Sequence, residues 1–257
     1  MVNIMTIFYF TSTGNCLYVA KQIGGTLYSI PQLMKTKTFH FKDDVIGLIY
    51  PTYGFGMPNI VKRFMEQVSW EADYSFAIAT YGNKTGAVLD NLNRFAAQHG
   101  KHFDYLATLL MVDNYLPVYK VEDQLTKLPQ KKTEECLKQI VEDIRVRAKN
   151  EPSATLAEKA ITAMIQAGEK AFMNGKNARK YIVNENCTKC GICSKVCPTA
   201  NIKVGDKVEF YDCCEVCLGC VHQCPQNAIH LKSERSAARF RNEHISLKEI
   251  INANNQL

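Results

Sequence analysis

Eight cysteines between positions 187 and 224 constrain this chain more than any other feature. They fall as Cys187, Cys190, Cys193 and Cys197, followed by Pro198, and again as Cys214, Cys217, Cys220 and Cys224, followed by Pro225. Each half reads C-x2-C-x2-C-x3-C-P, the spacing that wraps an iron–sulfur cluster. All four cysteines recur at one constant offset, so the segment is an internal repeat, and Ile202 and Ile229 continue it as a matched apolar pair. Two residues between thiolates let a tight loop cover one face of a cube and aim backbone N–H groups at its sulfurs. The fourth cysteine lies on a following turn that points away, and the proline after it has no N–H and turns the chain. Zinc ribbons also use C-x2-C pairs, but a third cysteine two residues on and a C-P after the fourth are not their spacing.

Residues 181–232 closely resemble bacterial two-cluster ferredoxins. In those proteins the fourth cysteine ligates the other cluster. The resemblance therefore implies one 4Fe–4S cluster on Cys187, Cys190, Cys193 and Cys224, and a second on Cys214, Cys217, Cys220 and Cys197. Cys213 keeps no offset and is either a bystander or an alternative ligand. Cys136 falls at an apolar position of a predicted helix and is expected to be a small buried hydrophobe.

The larger part before this segment alternates strands with helices. Residues 4–10, 45–50, 74–80 and 102–112 are apolar, β-rich runs of the kind buried on both faces of a parallel sheet. A short strand near 27–30 or 36–41 would complete five. Helical spacing follows in Leu17, Ala20 and Ile23, in Ile60, Val61, Phe64 and Met65 after Pro58, and in Val88, Leu89, Leu92 and Phe95. The pattern predicts an α/β fold with a doubly wound parallel five-stranded sheet, joined to a small α+β ferredoxin domain. Three polar or Gly/aromatic loops then lie at strand carboxyl ends. They are Thr11-Ser12-Thr13-Gly14-Asn15-Cys16, Pro51-Thr52-Tyr53-Gly54-Phe55-Gly56 and Thr80-Tyr81-Gly82-Asn83. A small polar loop between strand and helix holds a phosphate or simply caps the helix. The first loop has no lysine and is not a triphosphate-binding loop.

That loop resembles the phosphate loop of flavodoxins, S/T-x-T-G-N-S/T, at Thr11, Thr13, Gly14 and Asn15. Cys16 stands where a hydroxyl is usual, and a thiol is a weaker donor. The resemblance implies the flavodoxin-like strand order 2-1-3-4-5, with FMN at the carboxyl ends of the strands. It also implies a flavin flanked by the second and third loops, with Tyr53 or Phe55 and Tyr81 as stacking candidates against a reading of plain packing. Asn114 follows the last strand and serves either the flavin or a turn.

The pattern is lost from 119 to 130, where Pro129 marks a loop. Residues 131–150 read as an amphipathic helix through Leu137, Ile140, Val141 and Ile144. A second helix opens on a capping box at Thr155 and Glu158, carries Leu156, Ile161, Met164, Ile165 and Phe172, and is expected to pack and tether the two halves. Ser246 and Glu249 suit the cap of a short last helix, and Arg235, Arg239 and Arg241 are expected on a solvated face. The expected division is 1–150 flavodoxin-like, 151–180 helical connector, 181–232 ferredoxin-like and 233–257 tail. In that order the chain resembles the flavodoxin–ferredoxin fusion proteins of anaerobic bacteria and archaea.

Composition narrows the function. The chain of 257 residues has eleven cysteines and a formal charge of +6. Eight cysteines in cluster spacing fit a reducing cytoplasm better than a disulfide framework. Residues 1–10 lack a basic start and a cleavage site and are not read as a signal peptide, and no apolar run has membrane-helix length. Each oxidised cluster with four thiolates carries roughly −2, so two clusters and a flavin phosphate offset the basic excess, and no nucleic-acid module is recognisable. The leading expectation is an electron-transfer oxidoreductase working with an external redox partner protein. A flavin-dependent reductase of a small molecule is the alternative, although His99 and His102 lie away from the loops. A docking or redox-sensing module with an empty flavodoxin fold is a third.

Overall fold

The structure, a computed structural model, describes residues 5–172 and 174–257, and their side chains except those of 169–172. Ile4, expected to open the first strand, and the side chain of Phe172 lie outside the described residues.

Five strands form one parallel sheet: β1 (Met5–Tyr9), β2 (Thr26–Ser29), β3 (Val45–Pro51), β4 (Tyr74–Tyr81) and β5 (Tyr105–Leu110). Their order is β2-β1-β3-β4-β5, every neighbouring pair is parallel, and this is the flavodoxin-like order. Successive side chains leave a strand on opposite faces, so Ile7 and Tyr9 join one core while Phe8 and Phe10 join another. Helices α2 (Ile30–Thr36), α3 (Asn59–Gln67) and α4 (Val88–Gln98) cover the Phe8 face through Leu33, Phe64 and Leu92. Helices α1 (Asn15–Ile23) and α6 (Thr133–Arg145) cover the Ile7 face through Leu17, Ala20, Leu137, Ile140 and Ile144. Because both faces are covered, the strands carry near-continuous apolar runs.

Several sequence expectations change. Residues 26–29 supply the fifth strand, while His40–Lys42 pairs with Ser69–Glu71 in a separate ribbon. The stretch expected to be loop holds α5 (Val121–Thr126) and a 3-10 turn at Leu128–Lys131. Cys136 is exposed, because the buried stripe of α6 runs through its neighbour Leu137 instead. Helix α7 (Leu156–Phe172) begins on the expected Thr155–Glu158 box. It leaves its apolar side chains open, with Leu156 86% and Met164 71% exposed. Its contacts with the sheet half are polar: Lys159 pairs with Asp90 of α4 at 2.8 Å, and Thr162 and Gln166 bond Ala87 and Phe55.

The cysteine segment repeats in three dimensions. Helices α8 (Ile192–Lys195) and α9 (Gly219–His222) lie 27 residues apart, as do the strands that start at Ile202 and Ile229. The first of those strands pairs with Val208–Phe210 and the second with Ile182–Val183, both antiparallel. Left-handed backbone recurs at the same offset: Lys189 with Val216, Gly191 with Leu218, Ala200 with Asn227. A β-branched residue at φ +53, as at Val216, is costly, and the repeat accepts that cost at the position that tightens the cysteine loop.

The tail turns back across the sheet half. Helix α10 (Leu247–Asn254) carries a complete Ser246–Glu249 capping box, and Glu249 pairs with Lys21 of α1 at 2.7 Å. Ser29 bonds the Ala253 carbonyl, and Gln32 reaches the Asn255 carbonyl at 3.0 Å. The Tyr18 and His244 rings stack with centroids 4.8 Å apart. Arg239 departs from its expected solvated face: its guanidinium is buried on Glu234 at 3.0 Å and on the Ile229 carbonyl. Among the described residues no helix is long and apolar enough to cross a membrane.

Candidate cofactor sites

The repeat folds its cysteines into two crossed quartets. Cys187, Cys190, Cys193 and Cys224 line one cavity, walled by Val204, Val208 and Ile229. Cys193 also has those three cysteines as its neighbouring thiols. Cys197 is instead a neighbour of Cys214, Cys217 and Cys220. Backbone amides point at the sulfurs: Asn201 N–H donates to Cys197 Sγ at 3.2 Å, Ala228 N–H to Cys224 Sγ at 3.3 Å and Val216 N–H to Cys214 Sγ at 3.2 Å. Such donors favour the thiolate, the form that ligates metal. Burial opposes it, pushing Cys193 and Cys214 up to about 11 and Cys217 and Cys220 well above the usual thiol range. A bound metal would supply the positive charge that favours the thiolates. Cys213 stands outside both quartets: it is exposed, and its thiol faces the Thr199 carbonyl at 3.4 Å.

The two quartets differ in surroundings. Cys190 is exposed and Cys187 half-buried, while in the second quartet Cys197 and Cys220 are buried and the half-buried Cys217 packs on the core of the sheet half. Glu215, 5% exposed, accepts the Ile60 N–H at 2.9 Å and pairs with Arg63 at 2.7 Å, so the cysteine lobe provides the anion at the start of α3. His222 bridges to the last sheet loop: Nε2 donates to the Asn114 carbonyl at 2.8 Å and Nδ1 accepts the Phe240 N–H at 3.1 Å. Burial pushes His222 down to about 4, and a neutral ring with one donor and one acceptor fits those two bonds. The repeat in the sequence carries no signal for these contacts.

The loop expected to hold a phosphate is closed. Gly14 sits at φ +102, a conformation open to glycine, and a Cβ there would lie 3.0 Å from the Cβ atoms of Asn242 and Ile245. Thr11, Ser12, Thr13, Asn15 and Cys16 are all buried. Thr11 Oγ1 accepts the Gly14 N–H at 3.0 Å, and Thr13 Oγ1 accepts from Asn114 Nδ2 at 2.8 Å. Asn15 donates to the Val112 carbonyl at 3.3 Å and accepts from Asn242 Nδ2 at 3.2 Å. Cys16 meets Thr80 Oγ1 at 3.2 Å, and burial pushes its thiol up to about 12. The Asn242 N–H takes the Thr13 carbonyl at 2.8 Å, Asn254 the Thr11 carbonyl at 2.9 Å and Gln223 the Ser12 carbonyl at 3.3 Å.

The other two loops also face protein. After Pro51 and Thr52, residues 53–56 form a hairpin in which Tyr53 and Gly56 exchange backbone bonds, with Gly54 and Phe55 at positive φ. The Tyr53 phenol stands beside Ser12 and Cys217. Tyr81 instead lies near Cys136 of α6, so the two stacking candidates face different surroundings. A Cβ at Gly82 would collide with Asp113, and one at Gly86 would press the Phe55 ring at 2.9 Å. Asn83 donates to the Tyr119 hydroxyl at 2.9 Å. Asn114 serves as a bridge from Thr13 to His222, not as a simple turn residue. The hydroxyls of Tyr50 and Thr52, at the end of β3, are buried with no protein partner. The residues named for FMN thus lie together at the expected edge of the sheet, but the side chains of the first loop are bonded to one another and to the tail, while the Thr52 hydroxyl is left without a protein partner. In this arrangement they do not fit FMN.

A family description, 4Fe-4S binding domain, matches residues 180–203. A stretch of 54 residues is 41% identical to pyruvate synthase subunit PorD of Methanocaldococcus jannaschii, covering 20% of this chain and 63% of that subunit. The chain thus matches a little under two thirds of that relative. Among solved structures, a flavoprotein in complex with FMN from Lactobacillus acidophilus is 13% identical, with 42% of this chain and 93% of that one covered and a TM-score of 0.31. A WrbA-like flavodoxin from Agrobacterium tumefaciens is 16% identical over 53% of this chain and 98% of that one, at 0.32. Rubredoxin oxygen:oxidoreductase from the anaerobe Desulfovibrio gigas is 15% identical over 54% and 37%, also at 0.32. The flavodoxin-like assignment rests on the strand order above, independently of these likenesses. The C-terminal region contains a 4Fe–4S binding segment.

Proposed function

We propose that this protein is an iron–sulfur electron carrier. Two 4Fe–4S clusters, one on Cys187, Cys190, Cys193 and Cys224 and one on Cys214, Cys217, Cys220 and Cys197, exchange single electrons with an external redox partner protein. The observation that carries this reading is the backbone repeat, in which left-handed residues at one offset deliver each fourth cysteine to the opposite quartet. Bound clusters supply one-electron chemistry at potentials set by burial and by hydrogen bonds to sulfur. The chain's part is to aim the Asn201, Val216 and Ala228 amides at thiolates and to keep water away with Ile202 and Ile229, which are 5% and 2% exposed. The order of the halves is that of the flavodoxin–ferredoxin fusions that the sequence resembles; because the chain's own residues bond the side chains of the first sheet loop, this reading assigns no electron step to a flavin.

Anaerobic purification followed by iron and sulfide assay tests the reading. About eight irons per chain are expected from two four-iron sites. Stoichiometric zinc with no visible absorption would overturn it.

A further inference from the structure

We propose that the crevice at the carboxyl edge of the flavodoxin-like sheet holds the second cysteine lobe of the same chain in place of FMN. The proposal builds on the reading of that lobe as a cluster site and concerns what the crevice is for. The same edge that receives a phosphate and a flavin ring in a flavodoxin-like fold is met here by the lobe and the tail. A Cβ at Gly219 would lie 3.5 Å from Ser12 Cβ, in ordinary contact. Gln223 holds the Ser12 carbonyl and His222 the Asn114 carbonyl, so α9 is fastened to two of the sheet loops. Asn242 and Ile245 wall the glycine through which a phosphate would approach.

Charge points the same way. The group that the lobe brings to the start of α3 is a carboxylate, Glu215, already engaged by Ile60 N–H and Arg63. The second quartet adds thiolates once loaded. A flavin phosphate would enter beside negative groups, into a loop whose side-chain acceptors and donors are taken. Two hydroxyls at this edge, Tyr50 in β3 and Thr52 in the second loop, are buried without a protein partner, and neither belongs to the loop at 11–16.

The test uses the full chain, purified anaerobically with its clusters, and one sample is assayed for iron, sulfide and flavin. That sample is titrated with FMN while flavin fluorescence is followed, and hydrogen exchange at residues 11–16 is measured with and without FMN. The expected result is cluster iron without flavin, no saturable quench up to roughly 100 μM FMN, and slow exchange at 11–16 that FMN leaves unchanged. Stoichiometric flavin in the iron-loaded sample would overturn the proposal. So would a one-per-chain quench at micromolar FMN that Thr13→Ala weakens about tenfold or more. Removing the wall with Asn242→Ala and Ile245→Ala together should speed exchange at 11–16 by roughly tenfold or more. Exchange identical to the parent chain would also overturn it. A zinc-loaded, iron-free sample would sink the cluster reading alone, since the FMN titration still decides what occupies the crevice.

Discussion

The two cysteine quartets are copies in sequence and opposites in setting. The first lies open, with Cys190 exposed and Thr188 beside it at the surface. The second is held against the sheet half by Glu215, His222 and Gln223. Thr188 and Glu215 occupy the same place in the repeat, yet Thr188 faces solvent while Glu215 fills a buried junction. Burial removes water and slows access, so identical ligand spacing need not give identical stability or reach to a partner. On the proposed carrier function, the more open first quartet is the side offered to a partner protein and the second is the interior one.

The largest expected effect breaks the crossing of the quartets. Cys197→Ala should lose the cluster on Cys214, Cys217 and Cys220 and leave about half of the iron, and Cys224→Ala should lose the other. The surviving centre is identified by spectroscopy on each variant. If Cys197→Ala instead removes the cluster on Cys187, Cys190 and Cys193, the two halves of the repeat do not exchange ligands.

Next in size is the difference in access. An iron chelator added to the holoprotein should strip the first cluster roughly tenfold faster than the second, the ratio given by about 1.4 kcal/mol of extra opening free energy. Biphasic loss of visible absorption reads this directly. A single phase would mean that the lobe leaves the sheet half in solution as often as the first site opens.

A smaller effect separates the repeat mates Thr188 and Glu215. Glu215→Ala leaves the buried Ile60 N–H and one face of Arg63 unpaired and should cost about 2–3 kcal/mol. Thr188→Ala, at the surface, should stay within about 0.5 kcal/mol. Denaturant unfolding of the two variants side by side measures the contrast, and equal costs would remove the junction from the account.

The smallest effect concerns the tail that covers the crevice. Lys21 and the Ser246 amide and hydroxyl hold the Glu249 carboxyl down to about 2, below the roughly 4.3 of an unfolded chain. Its folded value is the lower one, so this contribution is present above about pH 4.3 and is lost as pH falls towards about 2. Hydrogen exchange at 247–254 should quicken over that window and not between pH 5 and 8. Lys21→Met should reduce the response. The pair is partly exposed, so the change is expected to be modest and weaker in salt.

Much of this molecule can be read before it folds. The strand runs and the loops after them were legible because a parallel sheet buried on both faces demands apolar runs, and turns between elements demand small or polar residues. Only the edge strand was ambiguous, since β2 is half-covered and its residues carry a weaker pattern. Helix α5 escaped because it is six residues long and mostly polar. Cys136 was misplaced by one position on the α6 stripe. Helix α7 showed an amphipathic spacing that the described residues leave facing outward, so periodicity there did not imply burial.

The candidate sites divide in the same way. The two cysteine motifs and the strand–loop–helix frame are readable from the residues alone, because ligand spacing and strand periodicity are local properties. The closing of Asn242, Ile245 and Asn254 over residues 11–16, more than 200 positions away in the chain, arises only on folding. Folding likewise decides that Glu215 and His222 lock one copy of the repeat to the sheet while the other stays open. Packing between distant segments depends on which surfaces meet, and a loop that matches a phosphate-binding pattern keeps that pattern whether an anion or the chain's own tail comes to lie against it.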